Sequence, residues 1–449
     1  MDKSKIVLRL QQLVAATSDP YELMVLTKAA EKLRAGSVSV VSTTASLPAA
    51  ATSTVGEIFL VENDDDLYVN VGSQWRSLNN EISAAISYAW GQGNLSALGD
   101  GTTSDRSSPV TVVGGIITWS QVAGGAAHSL AVTSTGIAYT WGNNTDGRLG
   151  TGNTTNTSSP VTVVGGITNW SQVSAGYRHS LGLTTTGIAY AWGYSDSGRL
   201  GTGTSTISSP ATILGGITNW RQLAAGTSHS LGVTSTGIAY AWGNNVFGQL
   251  GIGGGGAQTS PVTVVGGITN WSQISTGGFD GGLFSLGLTS AGIAYAWGYN
   301  GNGKLGDGTT TSRLSPVVVV GGITNWSQLS GGQNHSLGLT TTGIAYAWGG
   351  NFVGQLGDGT STNRSSPVTL VGGITNWSRV AAGSRHNLAV TSAGITYAWG
   401  NNENGRIGDG TTTSRSSPVT VLGGITNWTQ VSASRGKYSL GLRVIQKTI

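Results

Sequence analysis

Gly187-Ile188-Ala189-Tyr190-Ala191-Trp192-Gly193 is the stretch on which the fold turns. Its apolar run is bounded by glycines and has the length of a strand, too short for a globular helix. The closing Trp-Gly pair recurs at Trp90, Trp141, Trp192, Trp242, Trp297, Trp348 and Trp399, at intervals of 51, 51, 50, 55, 51 and 51 residues. Such regularity is the signature of a repeat architecture. Outward from each pair the same parts return in order. They are Gly-x-Leu-Gly-x-Gly, Ser-Pro (Pro109, Pro160, Pro210, Pro261, Pro316, Pro367, Pro418), Val-Thr-Val-Val-Gly-Gly, Ile-Thr-Asn-Trp-Ser-Gln and His-Ser-Leu-Gly-Leu-Thr. Four strand-length segments divided by Gly, Pro and Asn turns make one blade of a propeller.

The ends of the array imply closure. The chain enters with Ile86-Ser87-Tyr88-Ala89-Trp90-Gly91, read as the last strand of a blade, and leaves after Lys437-Tyr438-Ser439-Leu440-Gly441-Leu442, where that same strand would come next. Head and tail complete one blade, which leaves no open sheet edge. The expected fold is therefore all-β: a seven-bladed β-propeller over residues 81–449 whose N- and C-terminal strands share one blade.

The Trp-Gly, Gly-x-Leu-Gly and His-Ser-Leu elements at about 51-residue spacing resemble the regulator-of-chromosome-condensation repeat over about four-fifths of the chain. The resemblance implies a seven-bladed propeller. It does not fix a function, because that family includes exchange factors for a small GTPase, ubiquitin-ligase modules and ultraviolet receptors.

Ahead of the array the signals change. Residues 1–36 carry helical spacing, with Leu10 and Leu13 on one face, a Ser18-Asp19-Pro20 start, Leu23, Leu26 and Leu33 at 3-4 spacing, and Gly36 as a stop. Short helices with such faces must pack on something, so these leucines are read as particle-anchoring positions. Residues 37–55 read as a linker, and 56–80, with Ile58–Val61, Leu67–Val71 and Trp75–Arg76 around an acidic turn, as a small β-hairpin module. Residues 1–78 resemble attachment regions of bacteriophage tail-fibre and other virion proteins. That resemblance implies other virion proteins as partners and a homo-oligomer.

Composition narrows the choices. Gly is abundant at 73 residues, charged residues make up 9%, and there is no Cys, so disulfides and thiolate chemistry are excluded. Residues 1–81 carry a net charge of −3 and the rest +7. Spread over seven repeats this is too thin for the basic patch of a nucleic-acid binder, so no nucleic-acid partner is expected. No apolar run reaches membrane-spanning length and no signal peptide is evident, so synthesis in the host cytoplasm without membrane insertion is expected.

Few residues suggest chemistry. The seven Trp-Gly tryptophans recur too strictly for a stacking surface and are read as structural. His128, His179, His229, His335 and His386 share one repeat position, which Phe284 and Tyr438 fill elsewhere. A set that tolerates these rings is not a metal or proton-transfer site. Asp100, Asp307, Asp358 and Asp409 each precede an Arg by six residues, at Arg106, Arg313, Arg364 and Arg415. This co-occurrence predicts an ion pair inside each blade. No carboxylate pair, phosphate-binding loop or nucleophile elbow appears, so neither enzyme activity nor a cofactor is expected.

Variation concentrates after each Trp-Gly and in the fourth repeat. Asp196, Phe247, Phe279, Asp280, Tyr299 and Phe352 are the candidate interaction residues. The leading expectation is a non-enzymatic phage virion protein on the tail or capsid exterior. Residues 1–80 would attach it and the propeller loops would touch a host glycan or protein. The alternatives are a cellular regulator, exchange-factor-like or protein-binding, and an architectural decoration protein.

Overall fold

The computed structural model describes residues 39–41, 58–61, 66–70, 75–77, 83–278 and 283–446. The expected helical segment at 1–36, with Leu10, Leu13, Leu23, Leu26 and Leu33, lies outside them, as do Phe279 and Asp280. In the N-terminal unit, Ile58–Val61, Asp66–Asn70 and Trp75–Ser77 form an antiparallel meander. Ser39–Val41, inside the stretch read as a linker, adds a fourth strand by pairing in parallel with Ile58–Val61.

The second unit is a ring of seven four-stranded sheets. Blade 2 shows the plan, with strands Trp170–Ala175, His179–Thr184, Ala189–Gly193 and Ile207–Thr212 in sheet order. Blade 1 starts at Trp119, and blades 3 to 6 start at Trp220, Trp271, Trp326 and Trp377. The closing blade joins Trp428–Ala433 and Tyr438–Gln446 to Ser83–Gly91 and Arg106–Thr111. The shared blade is thus built of two strands from each end. The chain enters with the third strand of a blade, not the last, because each sheet begins at the Asn-Trp strand, one element later than the sequence reading placed it. A four-strand meander repeated head to tail looks the same from any starting strand, so only the contacts around the axis reveal the phase.

Those contacts are made by the first strands, which touch one another around the channel. Here a glutamine does what a strand ladder would do. Gln121 Oε1 accepts the Val173 N–H at 2.7 Å and its Nε2 donates to the Val173 carbonyl at 3.2 Å. Gln172, Gln222, Gln273 and Gln328 repeat the bridge to the next blade, and Gln430 closes the circle onto Val122 at 3.0 Å. At the junction of blades 6 and 7 the position is Arg379, and the glutamine bridge between first strands is absent there among the described residues.

The core lies between blades. One cluster packs Leu181, Leu183 and Leu200 of blade 2 against Trp220, Leu223 and Trp242 of blade 3. The Trp-Gly tryptophans are fully buried, and each Nε1 of Trp141, Trp192, Trp297, Trp348 and Trp399 donates to a carbonyl of the preceding blade, 2.9–3.1 Å away. The glycine after each is required: Gly142 has φ +106°, and a Cβ there would lie 2.6 Å from the Ala127 carbonyl.

The histidines form an interblade ladder. His179 Nε2 lies 2.9 Å from Ser230 Oγ, whose single proton goes to the Arg199 carbonyl at 2.8 Å. The ring must therefore donate from Nε2, leaving Nδ1 as a bare acceptor, buried without a partner. His128, His229 and His386 make the same link to Ser180, Ser285 and Ser439, and His335 to Asn387 Oδ1. Burial pushes all five well down from the ordinary imidazole value, His229 to about 3 and His335 to about 4. Tyr438 takes the histidine's place in the closing blade, and its hydroxyl donates to the His128 carbonyl at 2.5 Å.

Candidate functional site

Because strands alternate in direction, the loops after the first and the third strand of every blade emerge on one face. The third-to-fourth loop is a built object. Asn300 in blade 4 accepts the Leu305 N–H on Oδ1 at 2.9 Å and donates from Nδ2 to Asp307 Oδ1 at 3.0 Å. Asp307 in turn receives Arg313 Nε at 2.7 Å. The same Asp–Arg pairs form at Asp100–Arg106, Asp358–Arg364 and Asp409–Arg415. Burial opposes charge on these carboxyls, but hydrogen bonds from the Arg and Thr neighbours outweigh it and hold them below the usual value.

Such anchoring leaves the tips to vary. Phe247 packs at a tilt against Tyr299 of the next blade with ring centroids 4.8 Å apart, and Lys304 Nζ sits 4.7 Å from the Tyr299 ring. Val246 is 74% exposed and Phe352, in blade 5, 62%. The structure thus brings Phe247 and Tyr299 into contact on an apolar crest that Val246 and Phe352 extend across blades 3 to 5. Asp196 stands apart on blade 2, where it pairs with Arg199 at 3.3 Å and its side chain stays largely exposed.

What sequence reasoning missed is at the centre of this face. The x of Gly-x-Leu-Gly reads Arg148, Arg199, Gln249, Lys304, Gln355 and Arg406, all buried, and Arg148 and Arg406 line the channel mouth. Arg148 and Arg178 both bind Asp146, with Arg178 Nη2 to Oδ1 at 2.6 Å. Burial opposes the Asp146 charge, yet those two guanidiniums hold its carboxyl below the ordinary value. The Arg178 guanidinium carbon also sits over the Tyr194 ring, 3.9 Å from its centroid. Burial lowers Lys304 to about 7 and Arg406 to about 10.

Arg435 belongs to the closing blade and reaches across the channel. Its Nε donates to the Ala175 carbonyl of blade 2 at 3.2 Å, and its Nη2 to Thr276 Oγ1 of blade 4 at 2.7 Å. The loop that carries it, Ser434–Lys437, has one residue more than its counterpart at 176–178, which was the signal available in the sequence. Above lies a cavity of about 670 Å³ whose rim includes Arg148, Arg178, Arg385, Arg406, Arg435 and Lys437. Charges that looked evenly diluted along the chain converge here. Among the described residues no group of His, Asp or Glu is arranged to hold a metal ion.

The sequence profile of the regulator of chromosome condensation (RCC1) repeat matches residues 88–132, 135–183, 186–233, 291–339, 342–390 and 393–436. The chain belongs to the RCC1-repeat family. It is 32% identical to the ultraviolet-B receptor UVR8 of Arabidopsis thaliana over 340 residues, 74% of this chain and 65% of that receptor. It is 31% identical to the human E3 ubiquitin-protein ligase HERC2 over 67% of this chain, but that is only 5% of the ligase. Among solved structures, human WBSCR16 superposes with a TM-score of 0.71 over 80% of this chain and 99% of its own, at 22% identity. Prp20p of Saccharomyces cerevisiae, described with its binding to Gsp1p and histones, gives 0.70 over 82% and 92%, also at 22%. These structural likenesses concern the fold. The two sequence relatives are a receptor and a ubiquitin ligase, and neither supports the virion role expected from residues 1–78.

Proposed function

We propose that this protein is a non-enzymatic interaction propeller of the RCC1 type, which recognises a protein partner with the face bearing its first-to-second and third-to-fourth loops. One observation carries this reading. The departures from the repeat gather on that face: the apolar crest of Val246, Phe247, Tyr299 and Phe352, and the cationic channel mouth, while the strands beneath stay nearly invariant. Exposed aromatic and aliphatic groups beside arginines are the composition of protein-binding hot spots. The relatives favour this cellular, regulator-like reading over the virion one, which rests on the resemblance of residues 1–78 alone.

The test is partner capture from the source cells, quantified with wild-type protein and with Val246→Ser/Phe352→Ser. Val164→Ser, on a turn of the opposite face, serves as control. Partners held by the wild type and the control but lost by the double variant support the proposal. Identical capture by all three contradicts it. A nucleotide-release assay on a small GTPase examines the exchange-factor version separately.

A further inference from the structure

The cavity at the channel mouth holds an imbalance that protein recognition by the apolar crest does not explain. Of its six cationic side chains, Arg148 and Arg178 share the single carboxylate of Asp146. Arg385, Arg406, Arg435 and Lys437 share only Glu403, an exposed carboxylate 4.0 Å from Arg406. Arg406 is 2% exposed, and its Nε has no hydrogen-bond partner; neither has the sealed Nη1 of Arg435. Leaving guanidinium protons unpaired away from water is costly, and natural cores rarely do so without a reason. At the same x position Arg148 likewise has a bare Nε, whereas Gln249 and Gln355 are polar and satisfied; Arg406 keeps one bond, from Nη2 to Asn404 Oδ1 at 3.1 Å.

The shape selects among anions. These cations surround a single basin from several blades, with Arg435 as its floor, and do not line a groove. Its volume, about 670 Å³, falls in the range of small-molecule sites. A basin ringed by guanidiniums matches several phosphate groups on a compact body, since each guanidinium can grip two oxygens at once. We propose that the channel mouth binds a compact polyphosphorylated small molecule, with Arg385, Arg406, Arg435 and Lys437 as its ligands. This goes beyond the protein-recognition reading and does not depend on it.

The probe is inorganic tripolyphosphate, titrated calorimetrically into the full chain at physiological salt. Sulfate at equal ionic strength and hexaglutamate are the comparisons. Saturable one-to-one binding of tripolyphosphate is expected, weakened about tenfold or more by each of Arg385→Gln and Lys437→Gln. Both residues are exposed, so these variants should fold. Arg221→Gln, at the far end of a first strand, should leave the affinity unchanged. The proposal is overturned by absence of saturable binding, by equal affinity for sulfate, by variants that bind as tightly as wild type, or by hexaglutamate binding where tripolyphosphate does not. Capture of a protein partner through Val246 and Phe352 is read independently, so either proposal can fail alone.

Discussion

Five histidines buried neutral in one ring should make this propeller unusually sensitive to mild acid. Unfolded, each imidazole titrates near 6.5; folded, burial holds His229 near 3 and His335 near 4, and the other three well below normal. A base whose folded pKa is depressed is protonated first in the unfolded chain, so the unfolded state binds more protons and stability rises with pH. The contribution is intact above about pH 6.5 and falls away as pH drops toward the folded values. Between pH 7 and 5 the loss is roughly 2 kcal/mol for each of His229 and His335, with the other three acting in the same direction, against a typical total of about 5–15 kcal/mol. Urea unfolding followed by tryptophan fluorescence at pH 7, 6 and 5 should show the midpoint collapsing well above the carboxylate range. His179→Phe copies Phe284 of blade 4. It should cost about 1 kcal/mol at pH 7 through the lost bond to Ser230, yet reduce the slope below pH 6 by about 1.4 kcal/mol per pH unit. A stability that is flat from pH 7 to 5, or a slope unmoved by His179→Phe, would refute the reasoning.

Trp192→Ala, which empties a fully buried site and removes one of the two donors to the Arg148 carbonyl, should destabilise by about 3–5 kcal/mol, read as the shift in urea midpoint. A double-mutant cycle on Asp358 and Arg364 should give a coupling of only about 0–1 kcal/mol, because the arginine is 39% exposed, while Asp358→Ala alone costs more by removing an acceptor shared by Asn351 and Thr360. Lys304→Gln should raise the thermal midpoint at pH 7, since it removes a buried ammonium at a position where Gln249 and Gln355 are already accommodated. Arg379→Gln with Ala381→Ser installs the missing bridge between blades 6 and 7. It should stabilise by about 1–2 kcal/mol and slow amide exchange at Val431, read by native-state hydrogen exchange.

The blade count, the closure and the Asp–Arg pairs were legible in the sequence because each rests on residues at fixed spacing within one repeat. Interblade relations were not. The Gln121 bridge to Val173 joins residues 52 apart, and a run of Asn-Trp-Ser-Gln gives no sign that its glutamine serves the neighbouring blade. The cationic mouth was hidden for the same reason: Arg148 and Arg406 read as isolated charges in separate repeats until the ring closes and places both on one cavity. Dividing net charge by the number of repeats assumed that charge follows the chain, whereas a closed ring sorts it by position within the repeat.

The departures from the repeat then become informative as a group. Blade 4 carries the longest insertion, after Thr276, and the closing blade carries a one-residue insertion that frees Arg435. These two irregular loops meet, since Arg435 donates to both the carbonyl and the hydroxyl of Thr276. Arg435 crosses the channel to make this contact, and its Nη1 is left buried without a hydrogen-bond partner. The three bonds that Arg435 makes, to the Ala175 carbonyl and to the carbonyl and hydroxyl of Thr276, brace the ring, while among the described residues no carboxylate stands against its charge. Charge at that point stays costly in an empty basin and becomes favourable once the basin holds an anion. The site that closes the ring is therefore also the site with most to gain from a ligand.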